Sequence, residues 1–218
     1  MNLADREATF KALALAHPNP VSELTYRNPF ELLVAVILSA QATDISVNKV
    51  TPKLFEQAPN PQAMKALGVE GVKPLIKTIG LFNNKAKNIV LCAAQLIERH
   101  GAEVPEDRKA LEALAGVGVK TAGVVMNVAF GAPVIPVDTH VFRVSNRLGL
   151  VKTDQPEATE AKLLKVVPKW ALVQAHHLLI LQGRYICKAR KPLCGDCQVT
   201  AYCAYFKKEQ KRAAKSGS

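Results

Sequence analysis

The sequence predicts an all-α protein, and three observations lead there. Apolar residues recur at helical spacing in one segment after another, and Gly, Pro or Asn punctuates the joints between them. No run shows the alternating polarity of a half-buried strand. With 218 residues, 49% of them apolar, the chain can bury a full core as one large domain or two small ones.

Taken in order, Leu3 to Ala16 has helical spacing and is stopped by His17-Pro18-Asn19-Pro20. Pro29 suits the first turn of a second helix that runs through the most apolar stretch to about Ala40. That stretch contains Glu31 and falls short of the ~20 residues of a membrane span, so it is a buried helix. Gln41-Ala42 breaks the pattern, and Thr43 or Asp44 caps a helix toward Gln57. Asn60-Pro61 starts a short helix ending before Gly68, and Val69 to Thr78 makes another ending at Gly80. Leu81 and Phe82 then place two bulky apolar residues in a turn, where a staple or a lid on the core is the ordinary role. Asn83 or Asn84 is the expected cap of a long helix to His100, closed by Gly101. Pro105 and Asp107 introduce a helix ending near Leu111 and Leu114, and Val119 to Phe130 forms the next. Ala132 to Val137 is an extended link, Asp138 is the N-cap of a helix over Thr139 to Leu148, and Pro156 starts one to about Val167. Trp170 to Ile186 is expected to be the last helix, with His176 and His177 on it as structural residues.

The net charge of +11 exceeds what an enzyme of neutral small molecules needs and points to a polyanion, with nucleic acid ahead of an acidic membrane. Asp5, Arg6 and Glu7 at the start do not resemble a targeting segment. A cytoplasmic location follows, nucleoid-associated if the source is bacterial, where clustered thiols bind metal more often than they form disulfides.

Two motifs carry the chemistry. In LAGVGVKTA (Leu114 to Ala122) only Gly116-Val117-Gly118 joins two helices, so the hairpin is tight and its glycines suit positive φ. The second helix starts there with bare N–H groups, where a phosphodiester could sit beside Lys120. A Gly-x-Gly turn is often only a turn, and an Asp before a helix often only a cap. The second motif, Cys187, Cys194, Cys197 and Cys203, is C-x6-C-x2-C-x5-C within seventeen residues. Four thiolates that close together need a metal centre; the unequal gaps favour an iron–sulfur cluster mildly over zinc. Lys188, Arg190 and Lys191 between the first two cysteines suit either phosphate contact or a solvated loop. Cys92 stands apart as a core thiol.

Together with VDTHVFR (Val137 to Arg143), SAQATD (Ser39 to Asp44) and KTIGLFNNKA (Lys77 to Ala86), these motifs resemble the endonuclease III family of DNA glycosylases over nearly the whole chain. The resemblance implies a two-domain helix-hairpin-helix fold with duplex DNA bound in a groove between a six-helix domain and a [4Fe–4S] cluster domain. The six-helix domain would span 21–131, with the hairpin pair at about 108–130. Residues 1–20 plus 132–211 would form the cluster domain, and 212–218 a disordered tail. The implied activity is base-excision repair of damaged bases, oxidised pyrimidines first, with AP lyase nicking, by a monomer. Lys120 would be the nucleophile and Asp138 its acid/base partner. Gln41 and Leu81 would fill the gap left by an extruded base; Gly116, Val117, Gly118, Arg190 and Lys191 would contact DNA; and the four cysteines would ligate the cluster. The adenine glycosylases of the same superfamily lack such a lysine, and a non-catalytic DNA-binding module with structural zinc is the rival of another class. Ala115 replaces the family's usual Pro and Val119 its usual basic residue, which predicts a looser hairpin with one charge fewer.

Overall fold

Pro29 opens α2 (Pro29–Ser39), capped by Asn28, whose side chain accepts the Glu31 N–H at 2.9 Å. Every residue from Phe30 to Leu38 is buried, because a helix apolar on all sides must be enclosed by other helices. Its one charge, Glu31, is satisfied by the Arg27 backbone N–H at 2.8 Å and by Arg27 Nε at 2.9 Å. In this computed structural model, which describes residues 1–216, none of the described residues is in a strand.

The chain forms two compact units, Ser22–Ala132 and Met1–Val21 with Pro133 onward. In the first, α3 (Asp44–Gln57), α5 (Phe82–His100) and α7 (Val119–Phe130) pack on α2. Between them run α4 (Pro61–Ile76), which packs on α3 and α5, and the five-residue α6 (Arg108–Glu112), which packs on α7. Leu32, Leu33, Leu54, Ile89 and Leu96 are fully buried there, each contributing about 1.5–3 kcal/mol by leaving water. The second unit assembles α1 (Leu3–Ala16), α8 (Thr139–Leu148), α9 (Pro156–Val166), α10 (Leu172–Leu181) and α11 (Ala204–Ser216) around Phe10, Leu13, Val144, Leu163 and Leu178.

Most of the expected caps are present: Thr43, Asn60, Asp107 and Asp138 each bind a backbone N–H in the first turn of their helix. The two short helices expected around Gly68 are the halves of α4, kinked where Gly68 turns to φ 67°. Three expectations fail. Neither Asn83 nor Asn84 caps α5, which starts at Phe82 after Leu81 in a left-handed conformation with no side-chain cap. Trp170 to Ile186 is not one uniform final helix: a 3-10 turn (169–171) leads into α10, and a π turn (182–186) follows it. The chain also does not fray at residue 212. The Lys- and Ala-rich segment continues as α11, supported by Arg212 Nη1 on Glu209 at 2.9 Å, and 217–218 lie outside the described residues.

Candidate functional site

The hairpin is built from α5 upward. Gly116 has φ 77°, and a Cβ there would lie 2.9 Å from Asn88 Cβ and 3.2 Å from Ile37 Cγ2, so both backbone and space require glycine. Gly118 departs from expectation: its φ of −95° is extended, and a Cβ would meet nothing within 4 Å. Val117 is buried and its N–H donates to Leu114 O at 3.1 Å, so both its side chain and its N–H are engaged within the hairpin. No side chain caps α7, and Lys120 projects, exposed, from its first turn. The helix dipole and uncapped N–H groups favour an anion at this end.

Ala115 does not loosen the hairpin as expected. Its N–H, which proline would lack, donates to Gln95 Oε1 at 2.7 Å, so α5 grips the turn at Gln95 as well as under Gly116. Val119 is about half exposed, so the missing basic residue is a surface charge.

In the other unit, Asp138 has a side chain only 13% exposed. Its Oδ1 accepts the backbone N–H groups of His140 at 2.8 Å and Val141 at 2.7 Å, and Oδ2 lies 3.1 Å from His140 Nδ1. The carboxylate is therefore held at both oxygens. His140 was not singled out from sequence; its spacing two residues after a capping Asp was the available signal. His176 accounts for the expected structural role by contacting Pro136 O at 2.8 Å, just before Asp138.

Gln41, Leu81 and Lys191 adopt positive φ of 54°, 60° and 50°, which non-glycine residues rarely do. Leu81 is 57% exposed, whereas Phe82 packs on the core. Phe82 is thus the lid, and Leu81 an outward apolar side chain on a strained turn. Gln41 is exposed after α2 ends. Gln41, Leu81, the hairpin and Lys120 belong to one unit; Asp138, the cysteines, Arg190 and Lys191 belong to the other.

Cys187, Cys194, Cys197 and Cys203 line one cavity, whose other walls include Val144, Leu148, Ile186 and Leu193. Burial first, and then the neighbouring Cys197 and Cys187 thiolates, push the Cys194 thiol up. Burial likewise raises Cys203, against hydrogen bonds from the Phe206 and Tyr205 backbone. Four thiolates facing an apolar cavity repel one another, and a cationic metal centre removes that cost, so these residues fit an iron–sulfur group. Burial pushes Cys92 to about 12, as a core thiol requires.

The loop is pinned by two arginines one helical turn apart on α8. Arg143 Nε donates to Cys187 O at 3.1 Å and Nη2 to Gly183 O at 2.9 Å. Arg147 donates to Lys188 O at 2.7 Å and Ala189 O at 2.9 Å, and stacks 4.8 Å from the Tyr205 ring. Sequence reading missed both, although their i, i+4 spacing places them on one face. Arg190 and Lys191 remain exposed beside these anchors.

Comparison with known proteins agrees with this assembly. Residues 34–169 match the HhH-GPD superfamily base excision DNA repair protein, and residues 187–203 the iron–sulfur binding domain of endonuclease III. Endonuclease III of Escherichia coli (strain K12) is 57% identical over 208 residues, 95% of this chain and 99% of its own. That of Bacillus subtilis (strain 168) is 46% identical over 213 residues, 97% of each chain. A trapped endonuclease III–DNA covalent intermediate superposes with a TM-score of 0.89 at 45% identity, covering 96% of this chain and 99% of that one. A thermostable thymine-DNA glycosylase does so with a TM-score of 0.84 at 27% identity, covering 94% and 98%. By these matches, which span nearly its whole length, the chain belongs to the endonuclease III family within the HhH-GPD superfamily of base excision DNA repair proteins.

Proposed function

We propose that Lys120 is the nucleophile and Asp138 the acid/base group of this chain's DNA glycosylase and AP lyase reactions. The family's activity is bifunctional, and a [4Fe–4S] cluster is its cofactor. The observation that carries the assignment is the contrast in local geometry: an exposed amine on an uncapped helix N-terminus, and a carboxylate tied at both oxygens to another.

Duplex DNA with a damaged base or an abasic site is the proposed partner, and oxidised pyrimidines the proposed lesions. The base must leave the stack before its C1′–N bond is reachable. Gln41 and Leu81 would then fill the vacated space, their strained turns holding them outward. Lys120, as its free amine, forms the Nζ–C1′ bond while C1′–N breaks and the base leaves as an anion that takes a proton from water. Asp138 stabilises positive charge developing on the sugar, accepts a proton from the Nζ ammonium and returns it to O4′ as the C1′–O4′ bond breaks to give the Schiff base. Loss of a C2′ proton then breaks the C3′–O bond and nicks the strand. The backbone N–H groups of Gly116 and Gly118, on either side of Val117, would bind phosphates together with Arg190 and Lys191.

Cys187, Cys194, Cys197 and Cys203 are the proposed cluster ligands. When bound, the cluster would offset part of the charge of the four thiolates and, by joining them, stiffen the basic loop. A monomer located in the cytoplasm fits this reading; among the described residues, no helix is long and apolar enough to cross a membrane. Borohydride trapping on an abasic duplex in EDTA tests the core of it. Wild type should form a covalent adduct without divalent metal, and Lys120→Ala should form none above background while still binding the duplex. Trapping by Lys120→Ala at the wild-type level would place the nucleophile elsewhere.

A further inference from the structure

Gln182 is only 1% exposed, and both ends of its side-chain amide are used. Nε2 lies 3.2 Å from Cys197 Sγ, and Oε1 lies 3.2 Å from Nε2 of His17. Its backbone carbonyl accepts the Cys187 N–H at 2.6 Å. One residue of the π turn therefore touches two of the four cysteines, and single π turns often mark functional positions. His17 is fixed in its own right: it is the C-cap of α1, with its backbone N–H on Leu13 O at 2.9 Å, and Pro18 ends the helix behind it.

The chemistry of the sulfur settles the direction of this relay. A ligand thiolate can only accept, so the amide must turn its NH₂ toward Cys197 and its oxygen toward His17. His17 must then carry a proton on Nε2 and donate it to Gln182 Oε1. Each hydrogen bond polarises the next.

We infer that Gln182 is a hydrogen-bond donor to the Cys197 sulfur that raises the reduction potential of the bound cluster and slows its loss, held in that orientation by His17. The inference rests on Cys197 being a ligand. An electron added to the cluster increases the negative charge on its ligand sulfurs, so an N–H donor stabilises the reduced form more than the oxidised form. Arg147 Nη1, 3.5 Å from Cys187 Sγ, acts on a second sulfur, but its geometry is longer and its other bonds are to backbone carbonyls. Gln182 is thus the shorter contact, and its amide nitrogen has this sulfur as its partner.

The test uses the purified, cluster-containing protein, with dithionite and mediators to read the potential and a ferrous chelator to time iron release. Gln182→Met keeps the length and apolar contacts but has no donor. It should lower the potential and release iron about tenfold faster, the scale of losing a partner of a metal ligand. His17→Phe should shift both in the same direction by less, and His17→Gln, which can still donate, should stay near wild type. A wild-type potential and release rate in Gln182→Met would overturn the inference. Should Gln182→Met not fold, the His17 pair decides, and equal potentials in His17→Phe and His17→Gln would overturn it. Cys197→Ala separates the two assignments: loss of iron supports the ligand reading, whereas retention of about four irons removes that reading and this inference with it.

Discussion

Two helix N-termini carry the proposed chemistry, one in each unit, and they are finished in opposite ways. At α7 the end is left open: Gly118 is the N-cap, no side chain binds the first turn, and Lys120 stands exposed on it. At α8 the end is closed by Asp138 itself, which accepts two backbone N–H groups and faces the His140 ring. An amine that must form and break a covalent bond needs reach. A carboxylate that stabilises a cation needs a fixed position, because electrostatic stabilisation depends on donors and charges that do not reorganise. The support behind each end differs too. The hairpin leans on a hydrophobic core through α5, whereas the cysteine loop in the unit of α8 is held by arginine-to-carbonyl bonds.

The strongest way to break this comparison is to remove the two groups separately. Lys120→Ala should abolish adduct formation, since alanine preserves the helix but has no amine. Asp138→Asn keeps an oxygen for the cap and should fold normally, yet lose about 10²-fold or more in rate. It should retain some trapping on an abasic substrate. Equal residual trapping in both variants would mean that the two ends do not have separate roles.

Next in size is the fit beneath the hairpin. Gly116→Ala forces an L-residue to φ 77° and drives its Cβ to 2.9 Å from Asn88 Cβ. Stability should fall by about 2–4 kcal/mol, read as a denaturant midpoint shift. Gly118→Ala meets no atom within 4 Å at an extended φ and should cost far less. Similar losses for the two glycines would contradict the geometry.

A smaller effect sharpens the role of Gln95. Ala115→Pro removes the N–H that Gln95 accepts, leaving a polar oxygen without its partner at a cost of about 1–3 kcal/mol. In a Gln95→Leu background that cost should vanish, giving a coupling of about 0.5–3 kcal/mol in a double-mutant cycle. Additive losses would show that Gln95 does not hold the turn.

The smallest effect concerns pH and only the unit of Asp138. Burial first, then the charge of Arg184, lower the His177 pKa below its ordinary 6.5. The unfolded chain therefore binds a proton at His177 that the folded chain does not, and stability falls as pH drops from about 6.5 toward the folded value. His177→Gln should flatten denaturant midpoints measured across that window. An unchanged slope would assign acid sensitivity to other groups.

Local chemistry made much of this legible in advance. The helical periods, the caps at Thr43, Asn60, Asp107 and Asp138, the need for Gly116 and the spacing of the four cysteines depend on residues close in sequence. Leu81 was harder, because an apolar residue in a turn can face either way; its left-handed φ and exposure decided the matter in favour of facing out. The expected cap at Asn83 or Asn84 failed for the same reason: the turn at Leu81 starts the helix before either residue.

What the sequence determined by itself, then, is the set of helices, the hairpin and the metal-binding pattern, since hydrophobic period, capping and ligand spacing act over a few residues. The tertiary structure alone decided which distant side chains complete them. Gln95 replaces the stiffness expected of a proline at Ala115 from twenty residues away, Arg143 and Arg147 hold carbonyls some forty residues on, and His17 reaches Gln182 across 165 positions. A hydrogen bond has no sequence period. Its partner is chosen by the packing of helices, which brings a donor and an acceptor within about 3 Å wherever in the chain they began.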